Sequence, residues 1–410
     1  MATTSAITSE GGAGANPNTK RLAYIKNGDV VEQIRRVAQS APGKIASSGP
    51  DAFIASLYSS FPRSELLLWS RHRRNAEEKS AAFNAFTRNS YGGFAGGALR
   101  RLTSGVHLLS KLLQYRPQLL LVGTTGSQLW ICYLVSLTRG VPMVQSLHNR
   151  LDNDPSKLYR RISARIDIAV MKRIAGVACH GPYLRQQLLS AKIPADRVLE
   201  FDISFDELRD TVGCLTEKTT ASQTTRKTIL FVGRVEEQKG VLDLVRAIAP
   251  ILGRNQDVSL VFAGDGAGIS ELENLVTELS LEDRVQLLGT VAHQNLVPLL
   301  VSSHALVTPT QPTFPEGRCM AAMESLVAGT PVIAPDFGPF PYLVEHNVNG
   351  ILFEAGSVNA LEAALTAVIE QPAHYDKLSE GARQSGAVLT KSSSSFADAV
   401  ARLFDHNADG

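Results

Sequence analysis

The segment FPEGRCMAAMESLVAGTPVIAP, residues 314–335, is the most informative part of this 410-residue chain. It holds two carboxylates, Glu316 directly after a proline and Glu324 inside an almost wholly apolar stretch. The stretch predicts a buried helix that is followed by a turn and a short strand. A carboxylate buried in such a helix loses its hydration at a large cost in free energy. Glu324 therefore needs a cation, a hydrogen-bond donor or a ligand beside it.

Short apolar strands alternate with helices on both sides of this segment, which predicts doubly wound α/β domains with parallel sheets. The predicted strands of the second half are TILFVG (228–233), VSLVFAG (258–264), VQLLG (285–289), HALVTP (304–309) and TPVIAP (330–335). The first half repeats the pattern from RLAYI (21–25) to RVLEFDI (197–203), interrupted by a predicted long loop at residues 71–98. Two Rossmann-like domains that face each other across a cleft are expected, with ligands beyond the carboxyl ends of the strands.

The domain boundaries follow from composition. Residues 1–19 lack a basic start and an apolar core, so a disordered tail is expected rather than a signal peptide. Residues 20–210 are predicted as the first domain, the Thr/Ser-rich stretch 211–227 as a linker, and residues 228–390 as the second domain. Residues 391–410 are expected to form a helix that packs back toward the first domain.

The composition is that of a soluble globular protein, with 44% hydrophobic and 20% charged residues. Four widely spaced cysteines indicate neither a zinc site nor a disulfide framework, which favours a reducing cytoplasm. The longest apolar stretch, residues 119–137, is broken by GTTGSQ and predicts strand, turn and helix rather than a membrane span.

Charge is distributed unevenly along the chain. Residues 1–215 carry 28 Lys and Arg against 16 Asp and Glu, whereas residues 216–410 carry 13 against 23. The basic half predicts an anionic partner, and residues 158–175 are predicted as a basic helix whose cations alternate with apolar residues. That pattern suits the surface of an anionic membrane, and it suits equally a helix with one buried and one solvated face. No nucleic-acid-binding motif is present, which argues against nucleic acid.

Two cations, Arg234 and Lys239, lie in the predicted loop between a strand that ends at Gly233 and a helix that begins near Gly240. Such a pair can neutralise a diphosphate, because Arg offers a planar fork to its oxygens. The alternative is a solvated loop in which the cations pair with Glu236 and Glu237.

The glycines of GDGAG, residues 264–268, superficially suggest a dinucleotide-binding motif. The sixth position of that motif is Ile269, and the required acidic residue after the next strand is missing, so an NAD-dependent dehydrogenase is excluded. A tight turn that lets a ligand approach is the alternative, and a purely conformational role is expected for each glycine.

Two carboxylates and two histidines are candidates for ligand contacts. Glu316 and Glu324 are offset by a rotation of about 80° at the period of an α-helix, so both can line one pocket and accept bonds from sugar hydroxyls. A helix N-terminus beside them can bind an anion, although Glu316 could simply cap that helix. His148 ends a strand at the expected ligand edge, as does the weaker candidate His180. A lone histidine is more often structural.

Taken together, these residues resemble retaining glycosyltransferase family 4, which has the GT-B fold. The resemblance rests on FVGRVEEQKGVLDLVRAI (231–248), on the stretch from AGDGAG to LLGTV (263–291), on PEGRCMAAMESLVAGTPVIAPDFG (315–338) and on VNGILFEAGSVNALEAAL (348–365). It covers residues 228–370 well. In the first half it depends on strand order and on SLH (146–148).

The resemblance implies a hexosyltransferase of EC class 2.4 that uses a UDP- or GDP-sugar as co-substrate, with no other cofactor and no metal. His148, Arg234, Lys239 and Glu316 would be catalytic. The implied donor-binding residues are Gly233, Arg234, Lys239, Gly264, Gly266, Glu316, Gly317, Arg318, Cys319, Met320 and Glu324. Gly43 or Gly49 would form a loop of the first domain under the donor.

The implied acceptor is a glycan or a lipid-linked molecule of cell-surface polysaccharide or glycoconjugate synthesis, reached in the cytoplasm or at the inner face of the membrane. Two departures touch the donor pocket: Arg318 and Cys319 replace the family's usual Phe-Gly, and Gly338-Pro339 replaces its Gly-Gly pair. A second hypothesis is therefore a catalytically weak or inactive member that binds a nucleotide sugar or a partner protein without transfer.

Overall fold

The computed structural model describes residues 20–39, 53–57, 66–72, 75–79, 83–89, 94–151, 158–203, 205–219, 226–391 and 394–405. The chain divides into two compact units. The first comprises Met1–Ile203 and Ser393–Gly410, and the second comprises Ser204–Ser392.

The first unit contains an eight-stranded sheet in the order β3-β4-β2-β1-β5-β6-β7-β8, in which only the β3–β4 pair is antiparallel. Its strands are β1 (Leu22–Asn27), β2 (Leu66–His72), β3 (Ala76–Lys79), β4 (Phe83–Asn89), β5 (Leu119–Gly123), β6 (Met143–Leu147), β7 (Gly176–His180) and β8 (Val198–Phe201). Its helices up to β8 include α1 (Val30–Gln39), α2 (Phe94–Tyr115), α3 (Ser127–Arg139), α4 (Leu158–Met171) and α5 (Pro182–Ser190).

Successive residues of each strand point to opposite faces of this sheet. Both faces carry buried residues, because helices pack on each of them. In β1, Ala23 and Ile25 pack against α2 and α3, whereas Leu22 and Tyr24 pack on the other face against α1. The near-continuous apolar strands of the sequence are explained by this double coverage.

Residues 71–98, predicted as a loop, contain β3, β4 and the start of α2, so that prediction was wrong. β3 is a polar edge strand, AEEK, whose residues are exposed or half-buried. β4 pairs with β2 in a register that places Trp69 beside Phe86. β4 is defined by pairing with β2 and β3 by pairing with β4, and local periodicity does not reveal such pairing.

The second unit contains a six-stranded parallel sheet in the order β11-β10-β9-β12-β13-β14. The strands are β9 (Lys227–Val232), β10 (Val258–Ala263), β11 (Val285–Leu287), β12 (Ala305–Val307), β13 (Val332–Pro335) and β14 (Gly350–Phe353). The helices are α6 (Asp206–Thr219), α7 (Val241–Arg254), α8 (Ile269–Glu278), α9 (His293–Ser302), α10 (Met320–Val327), α11 (Val358–Glu370) and α12 (Pro372–Leu389). β14 is absent from the predicted strands.

The strand order of the second unit reverses between β9 and β12. The chain adds β10 and β11 on one side of β9, then crosses to build β12, β13 and β14 on the other side. The strand order therefore changes direction between β9 and β12, and such a switch point is where doubly wound sheets bind ligands.

Helix α6 occupies most of the stretch predicted as a linker, and residues 220–225 lie outside the described residues. It packs against α9 and α10, where Phe205 and Leu208 share a buried cluster with Val297, Met323 and Val327. This segment is polar and has few apolar residues of its own. They are enough to bury one face of the helix, because the neighbouring helices supply the rest of the apolar cluster.

The last helix, α13 (Phe396–Asp405), belongs to the first unit. Phe396, Val400 and Leu403 are buried in the same cluster as Leu22 and Tyr24. A Cβ at Gly176 would lie only 2.5 Å from Leu403 Cδ2, so the absence of a side chain at this position lets the helix approach β7.

The apolar stretch 119–137 forms β5, a turn and the first part of α3, as predicted. Among the described residues, no helix combines the length and apolar character needed to cross a lipid bilayer.

Candidate functional site

The loop that follows β9 is held against the loop that follows β12. Residues Glu237–Lys239 form a short 3₁₀ turn, and Gly240 then adopts a left-handed conformation with φ of 70° before α7 begins. A Cβ at Gly240 would overlap the carbonyl oxygen of Pro309. The backbone N–H of Gln311 donates to the carbonyl of Gln238 at 2.9 Å. This contact fixes Lys239 at the switch point of the sheet.

Lys239, Glu316 and Phe314 form the centre of the candidate site. Lys239 Nζ lies 2.5 Å from Glu316 Oε2, and the two side chains are 15% and 11% exposed. The same ammonium lies 4.1 Å from the centroid of the Phe314 ring. The two charged residues expected on facing segments therefore meet, and they are largely shielded from water.

Arg234 contacts the same ring but is more accessible. Its Cζ is 5.3 Å from the centroid of Phe314, and its side chain is 60% exposed. Nη1 lies 2.6 Å from Glu236 Oε1. The solvated-loop alternative is thus realised for Arg234, whereas Lys239 pairs with Glu316.

Glu316 lies before helix α10 rather than in its first turn. The helix begins at Met320, and its N-cap residue Cys319 makes no side-chain capping hydrogen bond. The side chain of Glu316 contacts Lys239 instead, so the capping alternative does not describe it. Glu324 lies within α10 and is 6% exposed.

A neutral thiol lies beside the Lys239–Glu316 pair. Cys319 Sγ is 4.0 Å from Thr308 Oγ1, and both residues are buried. Burial, followed by the negative charge of Glu316, raises the pKa of Cys319 to about 11. The thiol is therefore protonated at neutral pH and adds no charge to the pocket.

The glycines after β10 hold two loops together. A Cβ at Gly264 would overlap the carbonyl oxygen of Gly233, and one at Gly266 would overlap that of Val235. Gly233 N donates to Ala263 O at 3.1 Å, and Val235 N donates to Asp265 O at 3.0 Å. These glycines have a conformational role, since they let the loop after β10 support the loop that carries Arg234 and Lys239.

His148 lies in the first unit, directly after β6. Its Nε2 is 2.6 Å from Ser146 Oγ, and its ring centroid is 4.7 Å from that of Phe53. Burial, followed by the charges of His180 and Lys26, lowers the pKa of His148 to about 3. The imidazole is neutral at physiological pH and is suited to hydrogen bonding rather than to carrying charge.

Other residues of the first unit near this edge differ in role. His180 stacks on Phe201 with ring centroids 5.1 Å apart and is 4% exposed, so it has a packing role. Lys26, at the end of β1, is 6% exposed and donates to Gln33 Oε1 at 2.8 Å. A buried ammonium of this kind was not anticipated. Gly43 and Gly49 lie outside the described residues.

Phe314 and Thr308 were also missed by sequence reasoning. Phe314 is the first residue of the segment quoted above, but no local pattern shows that its ring lies under a cation from another loop. In the part of the chain that the structure describes, no group of three or more His, Cys, Asp or Glu side chains is arranged to hold a metal ion.

Part of the chain resembles a known protein family. Residues 216–385 match the family model for glycosyl transferases group 1. This region contains all the candidate donor-binding residues of the second unit, from Gly233 to Glu324.

Curated relatives are glycosyltransferases. The chain is 26% identical over 272 residues to alpha-D-kanosaminyltransferase of Streptomyces kanamyceticus, covering 63% of this chain and 69% of that protein. It is 39% identical over 129 residues to an uncharacterized glycosyltransferase of Methanocaldococcus jannaschii, covering 32% of each. It is 28% identical to D-inositol 3-phosphate glycosyltransferase of Corynebacterium glutamicum, of which it covers 46%. The last two alignments thus span less than half of the relative.

Solved structures share the fold along almost the whole chain. Sucrose-phosphate synthase from Thermosynechococcus elongatus has a TM-score of 0.69 at 18% identity, with 95% of this chain and 98% of that chain covered. Anabaena HepE in complex with UDP-glucose has a TM-score of 0.65 at 17% identity, with coverage of 95% and 100%. The predicted GT-B fold is confirmed.

Proposed function

We propose that this chain, whose residues 216–385 match the family model for glycosyl transferases group 1, transfers a sugar from a nucleotide diphosphate sugar to an acceptor, with retention at the anomeric carbon. The observation that carries the proposal is the largely buried Lys239–Glu316 pair at the switch point of the second sheet, with Arg234 beside it. This arrangement joins a cation for phosphate to a carboxylate for sugar hydroxyls.

Arg234 and Lys239 hold the diphosphate in this proposal. Their charges stabilise the negative charge that develops on the leaving nucleoside diphosphate, which is the main requirement of glycosyl transfer from such a donor. Arg234 is paired with Glu236 in the structure. When the diphosphate binds, phosphate oxygens replace the Glu236 carboxylate as the partner of Arg234. The exposure of Arg234 makes this exchange easy, because the contact with Glu236 is solvated.

Glu316 and Glu324 bind hydroxyl groups of the donor. Lys239 orients the Glu316 carboxylate at 2.5 Å, which leaves its second oxygen for the transferred sugar. Glu324 binds the ribose, as the resemblance implies. Gly233, Gly264 and Gly266 shape the backbone around the donor, and Gly317, Arg318, Cys319 and Met320 line it.

His148 has the role of a neutral hydrogen-bonding group toward the transferred sugar. Its pKa of about 3 in the folded chain leaves no appreciable imidazolium at neutral pH. A general-base role for an imidazole that is so reluctant to accept a proton is disfavoured.

The proposed reaction needs no metal ion, since two side-chain cations face the diphosphate. UDP-sugars are the first donors to test, because UDP-glucose is bound in the structure of the Anabaena protein, and GDP-sugars are the alternative. The proposed acceptor is a glycan or a lipid-linked molecule in cell-surface polysaccharide or glycoconjugate synthesis, at the cytoplasmic face of a membrane that the basic half contacts.

The test combines binding and turnover. A nucleotide that binds the folded chain raises its melting temperature, so UDP, GDP, ADP and their sugars are screened by thermal shift. The selected donor is then assayed against an acceptor panel, and the anomeric configuration of the product is determined by NMR. Lys239→Ala and Glu316→Gln should abolish turnover, and inversion at the anomeric carbon would contradict the proposed stereochemistry.

A matched control is available in the same unit. Arg254 Nε pairs with Glu370 Oε1 at 2.7 Å, and it lies at the C-terminal end of α7, away from the loop that opens this helix. Arg254→Ala removes a cation of the same kind without touching the candidate site. Turnover that survives Lys239→Ala, or that Arg254→Ala abolishes equally, would overturn the assignment.

The alternative is a member that binds a nucleotide sugar without transferring it. Arg318 and Cys319 favour it, because they stand where the family commonly has Phe-Gly. A thermal shift with a nucleotide sugar, but no turnover across the acceptor panel, would support this alternative.

A further inference from the structure

Exposed apolar side chains of the first unit concentrate on three helices that follow one another along the chain. Each is 40–70% exposed, and they are Leu99, Leu102, Val106 and Leu113 on α2, Leu134 and Leu137 on α3, and Leu158, Ile162 and Ile166 on α4. A single exposed leucine is ordinary in a soluble protein, but a contiguous apolar surface marks a site of interaction. We call these nine residues the apolar face.

The spacing of these residues places them in stripes. Leu102, Val106 and Leu113 recur at helical spacing on α2, and Leu158, Ile162 and Ile166 recur every four residues on α4. α3 packs against both neighbouring helices. The stripes therefore lie on adjacent helices, and Leu102, Val106 and Ile162 from two of them line one groove.

A groove of about 680 Å³ lies where the stripes meet. Its apolar lining comprises Leu102, Val106, Leu109, Trp130, Ile131 and Ile162. A Cβ at Gly105 would be 3.1 Å from Ile131 Cδ1, so the glycine lets α2 lie close to α3 at the floor of the groove. A groove of this volume with a mainly apolar lining suits an apolar group such as an acyl chain.

The exposed charged residues of these three helices are all basic. α2, α3 and α4 carry seven Lys and Arg and one acidic residue, Asp167. Asp167 is 5% exposed, accepts from Trp130 Nε1 at 2.6 Å and from Gly126 N at 3.1 Å, and so faces the interior. The exposed charges beside the apolar face are basic, among them Arg100, Arg101, Arg161 and Arg165.

We propose that the apolar face docks on the surface of an anionic phospholipid bilayer. The leucines and isoleucines enter the boundary of the acyl chains, and the neighbouring arginines lie at the level of the lipid phosphates. The inference rests on the proposed function in one respect, since such docking brings the first unit to a lipid-linked acceptor. Pairing of two copies through this face is disfavoured, because it would oppose two sets of arginines.

The two tryptophans of the chain provide a direct probe. Trp130 lines the groove, whereas Trp69 is 0% exposed. The full-length protein is mixed with vesicles of equal parts phosphatidylcholine and phosphatidylglycerol, and with vesicles of phosphatidylcholine alone. Co-sedimentation measures binding, and lipids brominated on the acyl chains report insertion by quenching tryptophan fluorescence.

We expect binding to the anionic vesicles that weakens with salt, and quenching that Trp130→Phe abolishes while sedimentation persists. The double variant Leu102→Gln/Ile162→Gln should lower the vesicle partition coefficient about tenfold or more, since two large apolar side chains no longer enter the lipid. Arg161→Gln/Arg165→Gln should weaken binding to anionic vesicles and reduce its salt dependence. Val388→Gln, at a position 69% exposed in the second unit, is the matched control and should bind as the parent does.

The proposal is overturned if the protein does not sediment with anionic vesicles at low salt, or if the double variant sediments as the parent does. Self-association that the double variant abolishes, without vesicle binding, would assign the apolar face to a protein partner instead. Donor binding is measured by thermal shift on the same samples. If the double variant loses vesicle binding but keeps the rise in melting temperature that the donor causes, vesicle binding and donor binding are separate properties. Normal vesicle binding by Lys239→Ala would separate them in the same way.

Discussion

Two cations from one loop contact a single aromatic ring in the second unit. Lys239 Nζ and Arg234 Cζ lie 4.1 Å and 5.3 Å from the centroid of Phe314. A ring of this kind attracts a cation with about 0.5–2 kcal/mol, and more strongly when water is excluded. Phe314 therefore holds both cations near the position proposed for the diphosphate, without neutralising either charge as a carboxylate would.

Replacing Phe314 tests this role. Phe314→Leu keeps an apolar side chain but removes the ring, so donor affinity should fall about two- to tenfold while the fold is retained. Phe314→Tyr should remain close to the parent protein. Donor titrations followed by calorimetry give the answer, and equal affinities of the Leu variant and the parent would contradict it.

The Lys239–Glu316 pair should also contribute to stability. Each side chain is largely buried, so Lys239→Ala or Glu316→Ala leaves an unpaired charge and should cost about 1–3 kcal/mol of unfolding free energy. Removing both leaves no unpaired charge, and the double variant should lose less than the sum of the single losses. Urea unfolding of all four proteins measures the coupling, and additive losses would show that the two residues do not interact.

At the scale of elements, the loops after β9, β10 and β12 support one another through backbone contacts. Gly264 lies against Gly233, and Gly240 lies against Pro309. The position of the cations is thus set by close packing of three loops rather than by the helix that follows them.

Substitution of these glycines should therefore be costly. Gly264→Ala places a Cβ on the carbonyl oxygen of Gly233, and the loop must shift, with a loss of several kcal/mol or failure to fold. Gly253→Ala is the matched control, because its Cβ meets nothing within 4 Å inside α7, and it should raise stability by about 0.5–1 kcal/mol. Thermal unfolding of both variants decides the matter. A Gly264→Ala protein as stable as the parent would refute the packing argument.

Most elements of the second unit could be predicted from sequence, because its buried strands are apolar runs bounded by Gly and Pro. The failures share one cause. β4 depends on pairing with β2, β3 depends on pairing with β4, and α6 depends on the apolar surface of α9 and α10. Each element is stabilised by another element rather than by its own local sequence.

At the scale of the whole molecule, partly buried histidines make stability depend on pH. Burial lowers the pKa of His107 to about 4 and that of His148 to about 3, and it also lowers the pKa of His304. The unfolded chain binds protons near the ordinary value of 6.5, whereas the folded chain does not. The free energy of unfolding should therefore decrease as the pH falls below 6.5 toward these lower values.

The prediction is checked by melting temperatures across this pH range. His304→Gln keeps a donor for the carbonyl of Val368 and removes one titrating group. The melting temperature of this variant should therefore fall less than that of the parent protein as the pH is lowered. A melting temperature that rises on acidification, or an identical slope for parent and variant, would contradict this account. Burial raises the pKa of Asp167, so this carboxyl binds a proton more readily in the folded chain than in the unfolded chain. Its contribution to the free energy of unfolding therefore increases as the pH falls, which is opposite to the contribution of the histidines.

The sequence by itself determined the doubly wound architecture, the resemblance to glycosyltransferases and the expectation that Arg234, Lys239, Glu316 and Glu324 belong to one site. It could do so because burial patterns and the order of motifs are local properties of the chain. Only the tertiary structure decided that Lys239 pairs with Glu316 over the ring of Phe314, and that leucines of three helices form one basic-rimmed face. Those contacts join residues from different loops and helices, and their geometry depends on how the whole sheet is packed.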